Sequence, residues 1–72
     1  MTPALFTRTG IALYGHQYRE QMAQALGCSV KSVQRYADGI RRVPDDVLAR
    51  LREIVRERRR ELAELAKLIG SP

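Results

Sequence analysis

The amino-acid sequence predicts an all-α fold, in which three short helices form a compact domain and a long C-terminal helix follows. Its 72 residues, at 8.2 kDa, provide enough apolar surface for one hydrophobic core. Apolar residues recur at spacings of three and four, and no stretch alternates apolar and polar residues for long enough to form a strand. Glycine and proline stand where these helical patterns begin and end. We therefore expect residues 1–72 to form a single domain.

The first helix is predicted from Pro3 to Tyr14. Thr2 is a favourable N-cap, and Pro3 suits the first helical position because its missing N–H would have no partner there. Gly15 follows the last helical residue and ends the element. Gly10 lies inside this helix and costs about 1 kcal/mol of helix propensity relative to alanine. It marks either a close approach of another segment or a tolerated interruption, and both interpretations remain open.

The second and third helices are predicted from about Gln17 to Leu26 and from about residue 30 to Asp38. Gly27 and Gly39 follow them, and each is suited to the left-handed conformation that commonly ends a helix. Ser29 is the expected N-cap of the third helix. The side chains predicted to face the core are Tyr18, Met22, Ala25, Leu26, Val33, Tyr36 and Ile40.

The fourth helix is predicted over residues 45–69, after Pro44 and with two aspartates at its positive N-terminal end. At 1.5 Å per residue it would be roughly 36 Å long, so its C-terminal half should project from so small a domain. Its apolar residues step by three and four, as in paired helices, with Arg58 in the same register. They are Leu48, Leu51, Val55, Leu62, Leu65 and Ile69.

The charge balance favours a polyanionic partner. Thirteen basic and eight acidic residues give a net charge of +5, and residues 1–44 hold six bases against two acids. No apolar run approaches the ~20 residues that span a bilayer, and the N-terminus lacks the pattern of an export signal. Cys28 is the only cysteine, so it cannot form an internal disulfide. We expect a cytoplasmic protein.

The second and third helices have the spacing of two helices that cross through a tight turn. Ala23 is small enough for a close crossing, Gly27 supplies the turn, and apolar side chains from both helices fill the space between them. Over Arg19 to Tyr36, REQMAQALGCSVKSVQRY, the chain resembles the helix-turn-helix DNA-binding family of lambda repressor and Cro, the XRE type, and the match spans about residues 17–44. Its size and layout resemble small phage or mobile-element regulators, including anti-CRISPR-associated repressors.

The resemblance implies that the third helix enters the DNA major groove while the second lies across the backbone. The residues implied to read bases are Val30, Lys31, Ser32, Gln34 and Arg35, and those implied to contact phosphates are Gln17, Tyr18, Arg19, Ser29, Arg41 and Arg42. Taken without the resemblance, the polar side chains of the third helix would be an ordinary solvated face. A solvated connector is an equal alternative for Arg41 and Arg42.

The apolar C-terminal half of the fourth helix is predicted to hold a two-fold homodimer. The interface residues expected are Val55, Leu62, Leu65, Leu68 and Ile69. Folding back onto the chain's own core and lying on a membrane surface are the alternatives considered. Arg58, Arg59 and Arg60 look like a nucleic-acid-binding patch, but a solvated helix face on which they pair with nearby glutamates is favoured. A two-fold dimer would place two recognition helices about 34 Å apart and would bind an inverted repeat.

The sequence therefore predicts a DNA-binding transcriptional regulator, acting as a repressor that excludes polymerase from its operator. We expect this regulator to be encoded by a bacterium or a phage and to bind the nucleoid in the cytoplasm. We expect it to need no cofactor, metal or small-molecule ligand. An antitoxin-like or adaptor protein, whose long helix binds another polypeptide, is the alternative. An enzyme is not expected, because His16, Cys28 and helix-surface carboxylates do not provide a nucleophile, a base and an orienting group. His16 also has no second ligand at metal-binding spacing.

Overall fold

The computed structural model describes residues 1–70 as four helices, and within this range no strand occurs. The helices are α1 (Pro3–Tyr14), α2 (Arg19–Leu26), α3 (Val30–Asp38) and α4 (Asp45–Gly70). Three short helices followed by a long one confirm the predicted fold class. α2 begins later than predicted, because His16 and Gln17 form a turn and Tyr18 provides no capping side-chain bond.

The predicted start of α1 and the predicted ends of α2 and α3 are confirmed by their hydrogen bonds. The hydroxyl oxygen of Thr2 accepts a bond from the Leu5 N–H at 3.1 Å at the start of α1. Gly27 and Gly39 take the left-handed conformation, with φ of 70° and 76°, and their N–H groups bond the last carbonyls of α2 and α3. These contacts satisfy groups that each helix leaves unpaired at its ends, which is why short segments can form well-defined helices.

The core lies where α1, α2, α3 and the first half of α4 meet. The Phe6 ring of α1 packs edge-to-face on the Tyr36 ring of α3, with centroids 5.6 Å apart and an angle of 75° between planes. Each helix contributes apolar side chains at helical spacing to this one cluster. Its buried members are Phe6, Tyr18, Met22, Ala23, Val33, Tyr36, Val43 and Leu51.

Gly10 marks a close approach between α1 and α2. A β-carbon at this position would lie 2.8 Å from Cε2 of Tyr18 and 2.9 Å from the sulfur of Met22, which is closer than such atoms can pack. The Tyr18 ring therefore occupies the space that any larger residue in α1 would need. Of the two interpretations of Gly10, the structure supports the close approach.

The prediction that Ile40 faces the core is wrong, because its side chain is 75% exposed. Gly39 turns the chain out of α3, and the Ile40 N–H instead bonds the Arg35 carbonyl at 3.0 Å, completing the helix end. Val43 is the connector residue that packs into the core. Ala25 and Leu26 are half-buried, at the edge of the region where the sequence places them.

Arg58 joins α4 to the C-terminal end of α1. Its guanidinium donates to the Leu13 carbonyl at 2.8 Å and lies 5.6 Å from the centroid of the Tyr14 ring. A cation is favoured there, because the last carbonyls of a helix are partly negative. Arg58 thus bonds across to α1 rather than to a glutamate of α4, contrary to the prediction. Beyond it the helix extends away from the core, and the molecule measures 48 × 23 × 20 Å.

None of the helices within residues 1–70 is long and apolar enough to cross a lipid bilayer.

Candidate nucleic-acid interface

The α3 helix has a buried apolar face and an exposed basic face. Val33 and Tyr36 are buried, whereas Lys31 and Arg35, four residues apart, are exposed on one side of the helix. Val30 is exposed near them, and Ser32 and Gln34 are half-buried beside the same face. All five residues predicted to read bases therefore lie at the surface of one helix. This arrangement follows from the helical period alone, because the apolar residues of α3 orient it against the core.

The N-terminus of α3 is closed by two serines. The Ser29 hydroxyl oxygen accepts the backbone N–H of Ser32 at 3.1 Å, and the same hydroxyl donates to the Ser32 side-chain oxygen at 3.1 Å. The predicted N-cap is confirmed, and it fixes where α3 begins. Ser29 is exposed, so it remains a candidate phosphate contact as well as a cap.

A hydrogen-bonded chain of Arg19, Gln34 and Asp38 connects α2 with α3. Nε of Arg19 donates to Oε1 of Gln34, and Nε2 of Gln34 donates to both carboxylate oxygens of Asp38 at 2.9 Å. The Arg19 guanidinium also lies 5.3 Å from the centroid of the Tyr18 ring. In this arrangement both ends of the Gln34 amide have partners, so pairing of Gln34 with a base competes with its bonds to Arg19 and Asp38.

Part of this chain could have been found from the sequence. Gln34 and Asp38 stand four residues apart on one helix, where side chains of these types bond each other. The bond to Arg19 joins residues fifteen positions apart and depends on how α2 crosses α3. Asp38, which the helical period already places on the same face as Lys31, Gln34 and Arg35, thus puts an acid on the basic face of α3.

The phosphate contact predicted for Tyr18 is contradicted by its burial. Its side chain is only 2% exposed, and its hydroxyl is enclosed without a hydrogen-bond partner among the described residues. The ring is held inside because it packs over Gly10 of α1. Tyr18 is therefore a core residue, as the helical spacing of α2 also indicated.

The other predicted phosphate contacts are exposed around α3. Gln17 and Arg19 line a shallow cleft of about 310 Å³ with Glu20 and Val30, between the N-terminal ends of α2 and α3. The Arg41 guanidinium lies 5.9 Å from the centroid of the Tyr36 ring, beside the C-terminal end of α3. Arg42, next in the chain, is exposed.

Cys28 lies half-buried in the turn between α2 and α3. Burial raises the pKa of its thiol above the ordinary value, and the nearby Arg41 guanidinium partly opposes this rise. A raised pKa keeps the sulfur protonated at neutral pH, where a thiol is a poor nucleophile. Cys28 therefore acts as a small apolar residue of the turn.

The predicted dimer residues are exposed on α4, so this segment does not fold back onto the core of its own chain. Val55 and Leu62 line a groove between α1 and α4. Leu68 lies on a different side of α4, beside Ala63 and Glu64. The structure therefore separates Leu68 from Val55 and Leu62. The large apolar residues of α4 that are exposed are Val55, Leu62, Leu65, Leu68 and Ile69.

No group of three histidine, cysteine, aspartate or glutamate side chains within residues 1–70 is arranged to hold a metal ion. His16 is exposed in the turn between α1 and α2.

Comparison of the chain with protein-family models, with curated protein sequences and with solved structures finds no match. The similarity to the lambda repressor and Cro family over residues 17–44 stays a prediction from the sequence.

Proposed function

We propose that this protein is a sequence-specific DNA-binding transcriptional regulator whose α3 helix enters the major groove. The observation that carries this proposal is the exposed pair Lys31 and Arg35 on a helix whose opposite face is buried. An α-helix fits the width of the major groove, and its exposed side chains then meet the edges of the bases. The protein acts as a repressor, by occupying an operator that polymerase would otherwise use.

The exposed side chains of α3 supply the chemistry of base recognition. Lys31 and Arg35 donate to O6 and N7 of guanine, which present two acceptors in the major groove. Gln34 pairs with adenine in exchange for its bonds to Arg19 and Asp38, and Val30 meets a thymine methyl group. Each well-formed pair with a base contributes about 1–3 kcal/mol of discrimination.

The basic residues around α3 bind the DNA backbone. Arg19, Arg41 and Arg42 place three guanidinium groups at its edges, and residues 1–44 carry an excess of four positive charges. Two copies related by a two-fold axis read an inverted repeat, with one recognition helix in each of two successive major grooves. Such a regulator is encoded by a bacterium or a phage, and it acts on the nucleoid in the bacterial cytoplasm.

The test is a binding titration on duplexes selected from a random library, with three single variants compared. Lys31→Ala and Arg35→Ala should each lose about 1–3 kcal/mol on the selected duplex and relax the preference at one base position. Arg60→Ala is the matched control, because it removes one positive charge from an exposed position on α4. It should bind nearly as tightly as the parent protein.

Equal affinity of the parent protein for selected and random duplexes would refute sequence-specific binding. A loss in Lys31→Ala and Arg35→Ala that is the same on every duplex would make these residues phosphate contacts instead.

A further inference from the structure

An apolar groove of about 470 Å³ runs between α1 and α4. Leu5, Val55 and Leu62 line it and are 47%, 41% and 56% exposed, and Ala12 and Leu13 complete its apolar surface. The charged side chains that line the same groove are Arg8, Arg58 and Arg59, all of them basic. The groove therefore suits an apolar segment that carries negative charge.

The α4 helix carries an apolar stripe of which only the first half is covered. Leu51 lies in the core, and the same stripe continues through Leu62, Leu65 and Ile69, which are exposed. Steps of three and four residues keep these side chains on one side of a helix. The second half of the stripe is therefore the part of α4 that lacks an apolar partner within residues 1–70.

The accessible surface of the chain is larger than its mass requires. The chain exposes 5506 Å². A compact monomer of 8.2 kDa would expose about 4,500 Å². The excess, about 1,000 Å², compares with the roughly 800 Å² that each partner buries in a stable interface. The projecting helix thus exposes as much extra surface as a dimer needs.

We infer that the α1–α4 groove receives the C-terminal turns of α4 from a second copy of this chain, so that each copy fills the groove of the other. Val55 and Ile69 each lie seven residues, or roughly 10 Å, from Leu62. An antiparallel crossing at Leu62 therefore brings Ile69 of the partner subunit level with Val55 and the groove. This inference rests on the proposed function, whose dimer it locates, and it adds α1 to the interface.

Charge supports the same occupant. Residues 61–70 carry two glutamates and one lysine, and the carbonyl groups at the end of α4 add partial negative charge. The three arginines of the groove meet this end with opposite charge. Because one surface then contains both the groove and the segment that fills it, two copies related by a two-fold axis bury both at once.

Sedimentation equilibrium of the full chain without DNA tests this arrangement with three charge-introducing variants. The parent protein should be a dimer, and Leu5→Glu in α1 and Leu65→Glu in α4 should each raise the dimer dissociation constant at least about tenfold, because each buries a charge in the interface. Leu68→Glu is the matched control. It changes a residue that is 71% exposed on another side of α4, and it should leave the dimer intact.

Disulfide cross-linking tests the antiparallel arrangement without adding charge. In a Cys28→Ala background, chains with Val55→Cys are mixed with chains with Ile69→Cys and oxidised. Within one helix these positions are about 21 Å apart, so any bond between them joins two chains. The mixed cross-link should form faster than either homodimer. Faster Val55→Cys homodimers would overturn the antiparallel crossing.

The outcomes separate this inference from the proposed function. The inference that a second copy fills the groove would be overturned if the parent protein were monomeric at all concentrations. It would also be overturned if Leu5→Glu were as dimeric as the parent while Leu65→Glu was monomeric. Circular dichroism establishes that each variant is folded. Lys31→Ala and Arg35→Ala should stay dimeric, so a dimer that binds no specific duplex would refute the proposed function alone.

Discussion

Replacing Tyr18 with phenylalanine is expected to stabilise the protein. The Tyr18 hydroxyl is buried without a hydrogen-bond partner among residues 1–70, and leaving such a group unpaired costs about 1–3 kcal/mol. Phenylalanine keeps the ring that packs over Gly10 and loses a single oxygen, whose packing contributes a few tenths of a kcal/mol. We expect the free energy of unfolding to rise by about 1 kcal/mol, or roughly 4–8 °C in Tm for a domain of this size.

Urea denaturation at one fixed protein concentration measures this change, because unfolding of a dimer depends on concentration. Tyr14→Phe is the control. Its ring is half-buried against Arg58, and the substitution should change stability by less than about 0.5 kcal/mol. Affinity for DNA should be unchanged in Tyr18→Phe, because the hydroxyl cannot reach a phosphate. A loss of stability would show that the hydroxyl is bonded in the folded protein, and a loss of affinity would restore Tyr18 as a DNA contact.

Gly10→Ala should lower the free energy of unfolding by about 1–2 kcal/mol, because the cost of overpacking against Tyr18 exceeds the gain of about 1 kcal/mol in helix propensity. Gly70→Ala is the control. This position has open space around it, so the substitution should not destabilise the protein. The free energy of unfolding should fall as the pH rises above the ordinary pKa of a thiol. The pKa of Cys28 is raised in the folded protein, so the thiol loses its proton at a lower pH in the unfolded chain than in the folded one. Urea denaturation at a series of pH values measures this decline, and the part due to Cys28 should be absent in Cys28→Ala. Asp38→Ala should tighten DNA binding, measured by fluorescence anisotropy at low salt, because it frees Gln34 and removes a negative charge from the basic face. Glu57→Ala on α4 is the control and should have a smaller effect. Equal effects of the two substitutions would exclude a specific role for Asp38.

The positions and ends of the helices could be predicted because their signals are local. Thr2, Ser29, Gly27 and Gly39 act through hydrogen bonds to residues within a few positions along the chain, so their effect does not depend on the rest of the fold. The exposure of Lys31 and Arg35 is predictable for the same reason. Once Val33 and Tyr36 face the core, the helical period places the two basic side chains on the outside.

Contacts between residues far apart in the chain depend on how the helices pack, which local sequence patterns do not specify. That Gly10 makes room for the Tyr18 ring depends on how closely α1 and α2 approach. Likewise, the angles at which helices cross bring Arg19 to Gln34 and Arg58 to the Leu13 carbonyl. Sequence spacing specifies which side of a helix is apolar but not which residue of another helix will meet it. The pattern of α4 therefore predicted an interface, whereas the contribution of α1 to the groove required the packed fold.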